Sequence, residues 1–253
     1  MLNILSALLV GLVLGLLGSG GGIITVPTLI YGSSMGIKQA VAHTMPILGL
    51  ITLVQSVVEW RAGHIRLKGT LPFLVASIIG TFSGARISVL WVPEKYLILI
   101  LVAVVLVAAA LMAHRALSPP HRAQALLPSD SKWITPLLCL IGLSIGLLSG
   151  LVGIGGGFAM VPALSLIAGF PMNVAVGTNV AVIAIKNLFG GLGYVGEVAW
   201  HADTILLFVV CGIGGSFTGA HVRRSLSEKT LKLIFAGFLV VVSGYLIWDN
   251  WLS

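Results

Sequence analysis

Charge is what this sequence has least of. Only 8% of its 253 residues are charged, whereas a soluble domain uses about 25% to wet its surface. That scarcity excludes a soluble globular protein. Acids are rarer than bases, 7 against 14. Glu59, Glu94, Asp130, Glu197, Asp203, Glu228 and Asp249 all stand at the ends of apolar stretches or in a polar connection between them. None is placed to serve as a carboxylate proton relay at membrane depth. Cysteine is nearly absent. Cys139 and Cys211 lie in apolar runs, which excludes a disulfide framework and a metal-ligand set. Neither glycine run is followed by Gly-Lys-Ser/Thr or set in a βαβ pattern, so a phosphate-binding loop and a dinucleotide fold are excluded. No nucleophile–base or metal constellation of an enzyme is present, and no cofactor is implied. No basic region precedes the N-terminal apolar run, as a secretory signal would require, and part of that run recurs mid-chain. It is therefore expected to be structural.

What the chain has in abundance is long apolar stretches. Hydrophobic residues make up 58%. They fall into eight segments: 2–31, 38–60, 70–92, 95–114, 133–168, 172–195, 203–222 and 229–250. Most are near the ~20 residues that span a bilayer as helix. The expected fold is an all-α integral membrane protein in the cytoplasmic membrane, in contact with lipid. The net charge of +7 would suggest nucleic acid in a soluble protein. Here the bases sit mostly in short loops, where they orient the chain in the membrane, so no nucleic-acid partner is expected.

The eight segments read as two copies of four. Residues 1–113 form the first repeat, 114–132 a proline-containing polar linker, and 133–253 the second repeat. Gly18–Pro27 matches Gly153–Pro162, and "GTFSGAR" (80–86) matches "GSFTGAH" (215–221), both at an offset of 135. "AVAHTM" (40–45) matches "VAVGTN" (174–179) at 134. An order-preserving match at a nearly constant offset marks an internal duplication.

Loop charge then constrains topology. If all eight segments crossed, the loop bases would divide six against six, contrary to the positive-inside bias. If segments 2–31 and 133–168 instead break at their Gly-Gly-Gly motifs and return, only Lys38 and Lys95 remain on one side and ten bases lie on the other. That arrangement inverts the second repeat relative to the first. It places the linker in the cytoplasm and both termini outside. Paired Gly/Pro-interrupted segments in two inverted halves are the sequence pointer to a transporter's binding site.

The duplicated "GxGGGxxxVP", the "AxGT"-like start of the following segment and the "GxxxGA" of the third resemble the sulfite exporter TauE/SafE family over nearly the whole chain. The resemblance implies a secondary transporter of a small sulfur-containing anion such as sulfite or a sulfonate. Rival readings are an anion channel and a carrier of a non-sulfur organic anion. His43 departs from the pattern, since its counterpart is Gly177.

Candidate binding residues follow from chemistry. Gly20, Gly21, Gly22 and Gly155, Gly156, Gly157 permit a backbone break, and the half-helix after each break offers free N–H groups and a positive dipole end to an anion. Lys186 lies mid-segment without an acid near it in sequence, and a charge at bilayer depth marks function. Arg86, with counterpart His221, carries a planar fork suited to oxyanions. His43, Thr44, Thr178, Asn179 and Asn187 are polar groups within spans, able to bind substrate or to bond across helices. Of these His43 is the one able to carry a proton near neutral pH.

Overall fold

The computed structural model describes residues 2–17, 21–67, 69–117, 134–166 and 170–223, with isolated positions 237, 240 and 244. Every regular element among the described residues is a helix: α1 (Leu2–Leu17), α2 (Gly21–Gly32), α3 (Ile37–Arg61), α4 (Leu71–Leu90), α5 (Glu94–Leu117), α6 (Ile134–Val152), α7 (Gly157–Leu166), α8 (Met172–Leu192) and α9 (Ala202–Arg223). Within α3, α4, α6, α8 and α9 lie five stretches long and apolar enough to cross a membrane. Apart from positions 237, 240 and 244, segment 229–250 lies outside the described residues, as does most of the linker. One boundary differs from the sequence reading. Helix α5 continues through 114–117, because His, Arg, Ala and Leu all sustain a helix.

The outer surface is apolar. Leu5, Val57, Ile79, Leu140, Leu206 and Val210 are all exposed, far beyond what water tolerates as a contiguous patch. Trp60 and Trp91, 75% and 80% exposed at the ends of α3 and α4, sit where interfacial tryptophans belong. This is the surface of an integral membrane protein.

Inside, small residues let helices touch backbone to backbone. A methyl group on Gly11 or Gly15 of α1 would strike the α9 backbone at Gly212 or Ser216. On Gly80 or Gly84 of α4 it would strike α6 at Leu143 or Leu147. Without a hydrophobic force between helices in lipid, such close approach is what drives their association. Both pairs run parallel, since contact positions rise together along the two chains. By contrast, Met45 of α3 lies beside Gly190 and Gly191 of α8, and His64 just beyond α3 lies beside Gly177, so α3 and α8 run antiparallel. Helix α2 runs back along α1, with Gly21 against Leu14 and Gly32 against Asn3 and Ser6. The principal pairs, α1 with α9, α4 with α6 and α3 with α8, map onto one another when α1 exchanges with α6, α3 with α8 and α4 with α9.

Candidate functional site

The second break is built by glycine. Between α6 and α7 the chain passes through Gly153, Gly155 and Gly156 with φ of +74°, +75° and +67°, a left-handed region that side-chain-bearing residues avoid. The N–H of Gly153 still donates to Ser149 O (2.8 Å). Helix α7 then starts at Gly157. In the first break, α2 starts at Gly21, and the Thr25 hydroxyl donates back to Gly21 O (2.8 Å). Gly20 lies outside the described residues. The two breaks meet: a methyl group on Gly22 would collide with the Ile154 carbonyl. Leu48 Cδ1 of α3 closes on both, standing 2.8 Å from such a methyl on Gly22 and 3.2 Å from one on Gly155.

Beside the second break lies a buried polar cluster. Lys186 is 0% exposed. Its ammonium donates to Ser149 Oγ of α6 (2.7 Å) and to Asn187 Oδ1 (3.0 Å). Both acceptors are neutral, and the ion pairs among the described residues, Glu59–His64 and Arg86–Glu197, do not involve Lys186. Asn187 is also 0% exposed, and its Nδ2 has no partner among the described residues. A methyl group on Gly155 would stand 3.8 Å from that nitrogen. Asn179 is buried one face-repeat earlier on α8. A buried ammonium held, among the described residues, by neutral oxygens is costly, so an anion at this place is electrostatically favoured.

Other candidates are not brought to this cluster. His43 is fixed by two bonds that determine its tautomer. Gln39 O can only accept, so Nδ1 donates to it (2.8 Å). The His201 N–H can only donate, so Nε2 accepts it (2.9 Å). The neutral ring, packed 5.4 Å from that of Trp200, ties the 199–201 loop to α3. Along α3 it lies between Val41 and Leu48, which touch the second break at Gly153 and Gly155, but its own bonds go to Gln39 and His201. Thr44 bonds back to Ala40 O (2.8 Å). Thr178 Oγ1 accepts the Arg66 N–H (3.0 Å), so it ties the loop after α3 to the start of α8. Arg66 and His201 are themselves 135 apart, so matching loop amides hold matching helix starts. Arg86 is 43% exposed and reaches Glu197 across 3.4 Å at the membrane edge.

Three participants carried no signal of their own in the sequence. Ser149 holds Lys186, Leu48 closes the breaks, and Tyr194 pins the end of α8 to α6 through its hydroxyl, which donates to Gly150 O (2.7 Å). Near the C-terminal ends of α3 and α9 and the first half of α8, a cleft is lined by Gly15, Gln55, Glu59, Val180, Phe217 and Ala220. Gln55 Oε1 is buried there without a partner among the described residues.

An apolar exterior around broken helices that meet at a buried cation is the construction of a membrane transporter. The chain belongs to the sulfite exporter TauE/SafE family, whose model matches residues 3–246. It is 28% identical over 250 residues to a protein of Xylella fastidiosa (strain Temecula1) named "Probable membrane transporter protein", with 97% of this chain and 94% of that one covered. It is 27% identical to "Probable membrane transporter protein YunE" of Bacillus subtilis, with 96% and 95% covered. No solved structure matches the chain.

Proposed function

We propose that the protein is a secondary transporter that carries a small sulfur-containing anion across the cytoplasmic membrane by alternating access between two inverted halves. One observation carries this reading. The two glycine breaks abut at Gly22 and Ile154, and a buried Lys186 with no acidic partner among the described residues stands beside the second. Half-helix N-termini supply roughly half a positive charge each, and Lys186 supplies a full one. Such a centre attracts an anion of one or two charges without any bound metal. Sulfur enters through the family's description, sulfite exporter.

Inversion of the halves is supported by helix direction. Corresponding helices in contact run antiparallel only if the operation relating them reverses the chain, and α3 and α8 do so. The return of α2 along α1 gives each half the odd number of crossings that inversion needs. It agrees with the ten-against-two division of loop bases. On this topology the linker 114–132 is cytoplasmic and both termini are external. The cleft at Gln55 and Glu59 then opens on the cytoplasmic face.

Purified protein in liposomes tests the function. Uptake of radiolabelled sulfite or thiosulfate should saturate with concentration. Non-saturating conductance would make it a channel, and absence of flux for every sulfur anion would refute the reading. Cysteines introduced in the linker and at the C-terminus should label from opposite sides. Labelling from one side would refute the inversion.

A further inference from the structure

We infer that the chain holds a single small oxyanion, at the second break only, and that the Asn187 side-chain amide is the donor that recognises it. This rests on the transporter reading above and makes it specific.

The orientation of Asn187 is dictated by its neighbour. An ammonium has three donors and no acceptor, so Lys186 can meet only the oxygen of the Asn187 amide, as it does at 3.0 Å. The NH₂ group must then face away from Lys186. It points toward the space left by the missing side chain of Gly155, where a methyl would lie 3.8 Å from Nδ2. An amide donor that is fully buried and unpartnered is rare, because leaving it unpaired costs a full desolvation penalty. Helix α7 begins at Gly157, two residues after Gly155, and its first N–H groups have no partner within their helix. The ligand must therefore accept hydrogen bonds, carry negative charge to compensate Lys186, and be small enough to lie under Leu48, Ile154 and Gly22. A sulfur oxyanion without a long organic tail meets all three conditions.

Singleness follows from the first half. At the offsets of 134 and 135, the positions of Lys186, Asn187 and Ser149 correspond to Thr52, Leu53 and Leu14. Thr52 turns its hydroxyl back to Leu48 O (2.6 Å), Leu53 is 42% exposed, and Leu14 is buried and apolar. The first break has no cation, no amide and no hydroxyl directed at it from these positions. Lys186 is here a positioning residue for Asn187 as well as a counter-charge.

Calorimetry on the full chain in nanodiscs, titrated with sulfite, thiosulfate and sulfate, tests this. The expected result is one site per chain. Asn187→Asp should bind at least tenfold more weakly, because it keeps the contact with Lys186 and replaces the donor by a repelling oxygen. Asn187→Leu is the companion variant, and thermal unfolding of each shows that it is folded. If Asn187→Leu does not fold, the isosteric Asn187→Asp alone decides. Wild-type affinity in the folded Asp variant would overturn the site while leaving the transporter reading intact. Two equal sites per chain would overturn its singleness. A wild-type protein that binds none of the three anions would refute the functional reading itself, and the site with it.

Discussion

The two glycine breaks share a sequence motif and differ in what surrounds it. Around the second, Ser149, Lys186 and Asn187 form a buried polar cluster. Around the first, the corresponding places hold Leu14, Thr52 and Leu53. The matching packing positions are alike in the two halves of the sequence, and the polar positions are not. The glycine stripes of α1–α9 and α4–α6 and the matched loop ties at Thr178 and His43 serve packing and recur in both halves, and the breaks meet once between them. The polar cluster has no counterpart at the corresponding described positions of the first half.

The largest effect should come from filling the breaks, since that damages what both halves share. Gly156→Leu forces a branched side chain onto a φ of +67° and against Ile145. Gly22→Leu drives one into the Ile154 carbonyl. Transport in liposomes should fall at least a hundredfold in each. If Gly22→Leu transports normally while Gly156→Leu does not, the breaks are not functionally equivalent, and the first one only packs.

The next effect separates the halves. Lys186→Met keeps the stem and removes the charge, so it should fold and unfold at a temperature no lower than wild type. Anion affinity should drop by an order of magnitude or more, since a charge-assisted contact is worth about 1.5–3 kcal/mol. The matching change in the first half, Thr52→Val, removes a hydroxyl already satisfied by its own helix and should alter affinity less than twofold. Equal losses in the two variants, measured by calorimetry, would show that the site straddles both halves.

The contrast between the halves also explains what was legible in the sequence. Segment positions were readable because bilayer thickness demands long apolar runs. The breaks were readable because Gly-Gly-Gly followed by Pro is anomalous in such a run. The end of α5 was misplaced because His114 and Arg115 look like linker while remaining good helix residues. Lys186 and Asn187 stood out because they are costly at that depth. Ser149 did not, because a serine in a membrane helix ordinarily bonds its own backbone and looks the same whether or not it holds a lysine. Leu48 was invisible as one leucine among many. Polarity alone could not distinguish a residue that faces the breaks from one that ties down a loop, and so His43, Thr44, Thr178 and Arg86 were grouped with Lys186. Only the packing of α3 against α8 separates them.

The smallest effect concerns the other cation within a span. Arg86 has the better chemistry for an oxyanion, with a planar fork that binds two oxygens at once, but it has the wrong address. It is 43% exposed, at the edge of α4, and its single contact with Glu197 is long at 3.4 Å. An exposed ion pair contributes about 0–1 kcal/mol. A guanidinium in contact with water, unlike the Lys186 ammonium, needs no anion to compensate it. Arg86→Gln should therefore leave anion affinity and transport within about twofold of wild type, and shift the unfolding temperature by only a few degrees. Flux and thermal unfolding measured together give a clear alternative. A tenfold loss of transport with unchanged stability would mean that the anion passes the membrane edge beside Glu197 on its way to the breaks. The functional difference between the two cations would then be one of sequence along a path rather than of burial.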